Sequence, residues 1–480
     1  MKFFRKYATV KIFTIFSVLL LSSCSKDSDD PAPQETEITV STSDFSITMD
    51  ENPINGQVIG SVQGSTNDGS VTFSITEQTP SGAFSIDASS GELKVADETL
   101  FDFESNPTIT GTVQVANGAV SENASITITL NDLMEENVYE GDLILRSQQE
   151  VNDFGANNYA AIIGTLHIGD PEEGTTTDII DLSPLQSLRS INGDLGITNN
   201  PSLISTLGLN IHYLYGKLII VVNDTLEKIE GFNRLTSVQE LVLSLNPRLY
   251  DLSGLYQLTS IGDGLVLVSC PQISNLDWLS NLTSFGGDLT IINCNSLANI
   301  DGLSNLTTAT GEYNYFRITY NNSLLNLNGI ENLNTEIYHL EIAANSSLTS
   351  IEGLQNKRVT TTLKIIENPF LENLHGLEST INISHELTVQ NNNSLINIQG
   401  LRNLETAESF QIFNNESLPN LVGLNNLERC RNLDIRGNNE LTDFCDLQNL
   451  FINGSNNSYI AIYNAYNPTK QDIIDGNCSL

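Results

Sequence analysis

Basic residues are scarce: the 480-residue chain has 21 Lys and Arg against 58 Asp and Glu. The formal net charge of −37 repels nucleic acid and anionic lipid, which argues against both as partners. Long apolar runs are missing too. No stretch reaches the roughly 20 residues that a bilayer-spanning helix needs. Cysteine is sparse, and six in 480 residues cannot build a disulfide scaffold. The sequence contains no HExxH, CxxC, Walker or GxSxG motif. His167, His212, His339, His375 and His385 neither cluster nor align, so no catalytic constellation emerges and the chain is read as no enzyme. Hydrophobic residues, at 39%, suffice for two or three packed domains.

What is present begins with an export pattern. Lys2, Arg5, Lys6 and Lys11 precede a largely apolar stretch, Ile12 to Leu21, too short to span a bilayer. Leu21-Ser22-Ser23-Cys24 resembles a bacterial lipobox. The resemblance implies cleavage after residue 23 and a lipid on Cys24, the membrane being touched only through that anchor. Losing residues 1–23 leaves 17 bases against 58 acids, a net of −41. Residues 24–36 read as an acidic, Pro-containing tether. Acids so close to the lipidated cysteine resemble the signal that sends some lipoproteins to the exterior face of the outer membrane.

Residues 37–134 carry short alternating runs such as Phe45-Ser46-Ile47-Thr48-Met49, Val71-Thr72-Phe73-Ser74-Ile75 and Ala124 to Leu130. Alternation with Gly, Asn, Asp and Pro between the runs predicts a β-sandwich. Asp50-Glu51-Asn52, Ala83-Phe84-Ser85-Ile86-Asp87, Phe101-Asp102-Phe103-Glu104 and Leu130-Asn131-Asp132 resemble a cadherin-like domain. By that resemblance Glu51, Asp102, Glu104 and Asp132 are candidate calcium ligands. The strand that usually supplies an aspartate before glycine reads Val115-Ala116-Asn117-Gly118 instead, and no second such domain follows to complete an interdomain site. Calcium takes about six to eight oxygens, more than the charged ones counted here, so calcium is the one cofactor considered and only a weak expectation.

From 139 to 480 the chain repeats itself. Leu-x-Ile-x-x-Asn-x-x-Leu recurs from Leu195, Leu218, Leu241, Leu265, Leu289, Phe316, Leu340, Leu363, Leu387, Phe410 and Leu433, at spacings of 23 to 27. With the first residue as position zero, +2 is Ile, Leu or Val throughout and +14 is Leu, Ile or Phe. Position +5 is Asn in nine copies and Cys270 or Cys294 in the other two. Side chains alternate along a strand, so 0 and +2 share the core face. An inward Asn amide donates and accepts, and can satisfy peptide groups as the chain turns out of the strand. Gly at +13, absent only at Trp278 and Asp446, suits a bend or close coil packing.

This pattern resembles the leucine-rich repeat, most closely the receptor L-domain variety, over roughly 300 residues. The resemblance implies a solenoid with one parallel sheet, a strand per coil and irregular or short helical returns. The fold expected is therefore mainly β, a sandwich followed by a solenoid of 11 or 12 repeats. A degenerate coil begins at Leu166 and Ile168, with an insertion at 169–177. Residues 139–165, with a short helix from Ser147 to Phe154, form the N-terminal cap, and 448–480 the C-terminal cap. A disulfide between Cys445 and Cys478 is expected to close the open end, with Cys430 as the rival partner. Cys270 and Cys294 are expected to be free thiols.

Two functions fit. One is surface adhesion or binding, the solenoid meeting a protein ligand on host, matrix or a neighbouring cell. The alternative is a glycan-binding lipoprotein of a nutrient-uptake system. Sugar sites use exposed aromatic platforms, and the sheet and its margins offer only Tyr315, Tyr320 and Phe413, with Trp278 in a turn. That favours the first. Positions +1 and +3 point away from the core. They are mostly polar in later repeats (Arg317, Glu341, Lys364, Gln411, Asp434) but apolar in earlier ones, at Ile219, Val221, Val242, Val266, Val268 and Ile292. These six form the candidate partner patch.

Overall fold

The computed structural model describes residues 37–103, 105–131, 137–171 and 176–480. Cys24, Glu104 and Asp132 lie outside the described residues. The chain is mainly β and divides into two compact units, between residues 135 and 136. Among the described residues no helix is long and apolar enough to cross a membrane.

The first unit is a sandwich. One sheet runs in the order Phe45–Asp50, Val120–Asn131, Thr108–Asn117, Thr72–Thr79. Its edge pair, Phe45–Asp50 with Val120–Asn131, is parallel, and the other pairs are antiparallel. The second sheet is Val58–Ser61, Glu92–Val95, Phe84–Ile86. The alternating runs put Phe73, Val113, Val115, Ile126 and Ile128 inside, against Phe84, Leu93 and Phe101.

The second unit is a solenoid around one parallel sheet of 14 strands, from Leu143–Leu145 to Ser458–Ile462. Every in-register pair joins zero to zero and +2 to +2, as Leu218 to Leu241 and Ile220 to Leu243 do. The sheet therefore starts within the expected N-terminal cap and ends within the expected C-terminal one. In the latter, Tyr459 pairs with Leu433, and Asn464 falls at +5. The cap helix is Gln148–Gly155, with Ser147 accepting the Glu150 N–H at its start. Two short four-stranded parallel sheets line the returns of the earlier coils. In later coils these merge with the main strand into strands of eight or nine residues, such as Arg358–Ile366.

The +5 asparagines form the expected ladder, all fully buried from Asn200 to Asn438. In Asn345 the Nδ2 donates to Ile318 O at 2.8 Å and Oδ1 accepts the Asn321 N–H at 3.0 Å. The Cys270 and Cys294 thiols occupy two adjacent slots, facing the Leu243 and Leu267 carbonyls at 3.6 and 3.8 Å. Burial pushes these thiols up to about 11 and about 12, so both stay protonated. At the open end Thr177, inside the insertion, donates to Asn200 Oδ1 at 2.6 Å and closes the ladder.

The residue before each ladder slot turns the chain inward. Position +4 is left-handed in all twelve coils from Asn199 to Tyr463, with φ between 53° and 69°. Among these is Val222, whose β-branch suits that region badly. At +13, glycine is required by contact: a Cβ on Gly302 would sit 1.8 Å from Leu276 O.

A second amide ladder runs along the return side. At +16, Asn281, Asn305, Asn332, Asn403, Asn426 and Asn449 each donate to the +15 carbonyl of the coil before. It lapses where Asn356 turns left-handed (φ 65°) and Ser379 replaces Asn. There Lys357 stands at a core position that is leucine in most coils. It is fully buried, and its Nζ donates to the two carbonyls left over, Glu331 O and Gln355 O, both at 3.3 Å.

Candidate functional site

The parallel register places Ile219 beside Val242 and Val242 beside Val266, and likewise Val268 beside Ile292. Val221 joins Val268 through the polar Ser244, and Thr290 stands beside Val266 at the block's edge. All six patch residues are half-buried rather than freely exposed. β-Branched neighbours about 4.8 Å apart shield one another on a packed sheet. The left-handed +4 position extends the block beyond the strand ends, through Val222 and the 49% exposed Leu245.

Bases that stand on the rest of this face are paired. Lys217 meets Glu240 at 2.6 Å, Arg317 meets Glu341 at 2.7 Å and Lys364 meets Glu386 at 2.8 Å. His339 and Arg317 hold the Glu341 carboxyl down at about 2, against the burial that raises it. Exposed pairs of this kind add little stability. Their effect is to leave the sheet face near neutral in a chain of net charge −37.

At the end of the sheet face where the strands begin, sequence reasoning undercounted the aromatics. Tyr315 was legible from its register. Tyr313 and Tyr338 join it: Tyr313 meets Tyr338 edge-to-face at 5.2 Å, Tyr338 meets Tyr315 at 5.6 Å, and Tyr315 stacks on His339 at 5.8 Å. Tyr320 and Phe413 stand apart from this cluster, and Trp278 is buried, with its indole N–H unpartnered.

Glu51 is almost fully buried, and its carboxylate accepts the Phe103 N–H at 2.6 Å. Asp102 accepts from Ser105 Oγ at 2.7 Å. Among the described residues no three His, Cys, Asp or Glu side chains converge on a common point as metal ligands. Of the four calcium candidates only Glu51 and Asp102 are among the described residues. Cys445 and Cys478 are disulfide-bonded, with Cα atoms 4.9 Å apart, and Phe444 N–H donates to Cys478 O beside the bridge. Cys430, the rival, is buried and free.

No protein-family model matches the chain, and no curated protein matches it. Solved cadherin ectodomains do. The human desmocollin-1 ectodomain is 20% identical, over 22% of this chain and 24% of that one, with a TM-score of 0.19. Protocadherin gamma B2 extracellular domains 1–5 are 22% identical over 20% of each chain, with a TM-score of 0.19. Drosophila N-cadherin EC1–4 is 22% identical over 21% of this chain and 27% of that one, with a TM-score of 0.18. The likeness is weak and partial. This chain spans about a quarter or less of those ectodomains' length.

Proposed function

We propose that the protein is a non-enzymatic surface-binding protein. It is lipid-anchored through Cys24 and presents the open face of its solenoid sheet to a protein on a host, matrix or neighbouring cell. The observation that carries this reading is the apolar block from Ile219 to Ile292 on an otherwise charge-paired face. Aliphatic surface with few charges to desolvate is what a buried interface centre uses. The lipobox resemblance and the acidic tether support outer-membrane anchoring and exposure to the exterior. The sandwich serves as a spacer.

Val242→Asp with Val268→Asp tests the surface. Both side chains point off the core, so the variant should fold with a nearly unchanged circular dichroism spectrum and melt. Capture of host, matrix and same-strain surface proteins by the immobilised mature chain should be lost. Intact capture by the double variant removes this face from consideration.

A further inference from the structure

The strand-start margin of the solenoid sheet combines two features that none of the preceding roles uses. The first is the tyrosine cluster. Tyr313 is 56% exposed and Tyr315 44%, although both rings have partners. The second is an open furrow that runs up to Tyr313, walled by Lys217, Glu240, Asp263, Asp288 and Thr310.

Coil packing makes the furrow. Successive coils approach so closely here that side chains are excluded. A Cβ on Gly286 would lie 2.1 Å from Gly262 O, and one on Gly311 would lie 2.0 Å from Gly286 O. The floor is therefore bare backbone, and the walls are charged side chains. Lys217 and Glu240 are paired at 2.6 Å, while Asp288 Oδ1 accepts the Tyr315 N–H at 3.0 Å, tying furrow to cluster.

We propose that this margin binds a neutral saccharide, with a sugar ring against the Tyr313–Tyr315 surface and its hydroxyls in the furrow. A pyranose has an apolar C–H face that suits an aromatic ring and a rim of hydroxyls that both donate and accept. Carboxylates accept from that rim and the Lys217 ammonium donates to it. The furrow has no aliphatic side chain to anchor an apolar peptide. Its three carboxylates repel a sulfated or uronic glycan. A cation would be drawn to the acids and the ring faces but opposed by Lys217. The site adjoins the apolar block at the strand starts but shares no residue with it, and its fate does not decide that of the protein-partner reading.

The test uses the mature chain, residues 24–480, on a printed array of neutral and acidic oligosaccharides, followed by affinity electrophoresis in dextran, mannan, xylan and starch. Retention by at least one neutral glycan is expected. Tyr313→Ala with Tyr315→Ala should weaken it about tenfold or more, with the thermal melt unchanged because both rings are surface-exposed. Tyr313→Phe, which keeps the ring, should retain most of the binding. The proposal is overturned if no neutral glycan binds, if only acidic glycans bind, or if the double alanine variant binds as well as wild type.

Discussion

Asn345→Ala should cost the solenoid about 4 kcal/mol. The amide is fully buried and satisfies two backbone groups of the preceding coil, Asn321 N–H at 3.0 Å and Ile318 O at 2.8 Å. Truncation strands both in a dry interior, at about 1–3 kcal/mol each, and a small void adds to that. The chain contains its own control. Cys fills the same slot at 270 and 294, its thiol 3.6 Å from the Leu243 carbonyl at the first. A thiol is a weak donor and acceptor of suitable size, so Asn345→Cys should cost about half as much. Trp278 is the sole tryptophan and is 7% exposed, so its emission reports solenoid unfolding without a sandwich contribution. Urea titration followed at Trp278 gives the rank order wild type, Cys, Ala. Because coils contact only their neighbours, the damage should also be local. Exchange of the Asn321 amide hydrogen should accelerate in the alanine variant, while that of Asn223 stays protected. A loss below 1 kcal/mol for alanine, or equal costs for Cys and Ala, would refute the ladder as the source of stability.

Three further outcomes are expected. Val222→Asn should raise the unfolding free energy by about 1 kcal/mol and move the urea midpoint up, since Asn tolerates the left-handed region that a β-branched residue resists; a lower midpoint would mean that the Val222 side chain matters more than its backbone. Lys357 titrates at about 8 in the fold because burial disfavours its charge, against 10.5 in the unfolded chain. The unfolded state therefore binds the extra proton between those values, and stability should rise by up to about 3 kcal/mol from pH 8 to 10.5; Lys357→Met should flatten that rise, and identical profiles for both proteins would count against the burial. Cys24→Ala should move the protein from the membrane to the soluble fraction on cell fractionation, and sedimentation like wild type would exclude the lipid anchor.

The repeat period by itself determined the solenoid. Coil positions 0, +2, +8 and +14 are local commitments, each apolar in all eleven copies from Leu195 to Leu433, and burial follows wherever coils stack. The ladder was legible for the same reason: an Asn at fixed phase in an apolar frame has nowhere to point but inward. So was the apolar block, because alternation fixes which side chains leave the core. Three things needed the tertiary structure. The left-handed +4 position is Asn in only some coils and Val222, Glu367 or Tyr463 in others, since the turn is imposed by the inward side chain after it, Asn or Cys. The sandwich's parallel edge pair joins residues about 80 apart, a separation that no local pattern encodes. The tyrosine cluster was missed because Tyr313 lies in the longest of the regular repeats, 27 residues from Leu289 to Phe316, where extra residues break the register, and Tyr338 lies on a strand that extends back to Glu336. Periodicity specifies what every coil shares, but an insertion belongs to one coil, and only packing against its neighbours decides where it goes.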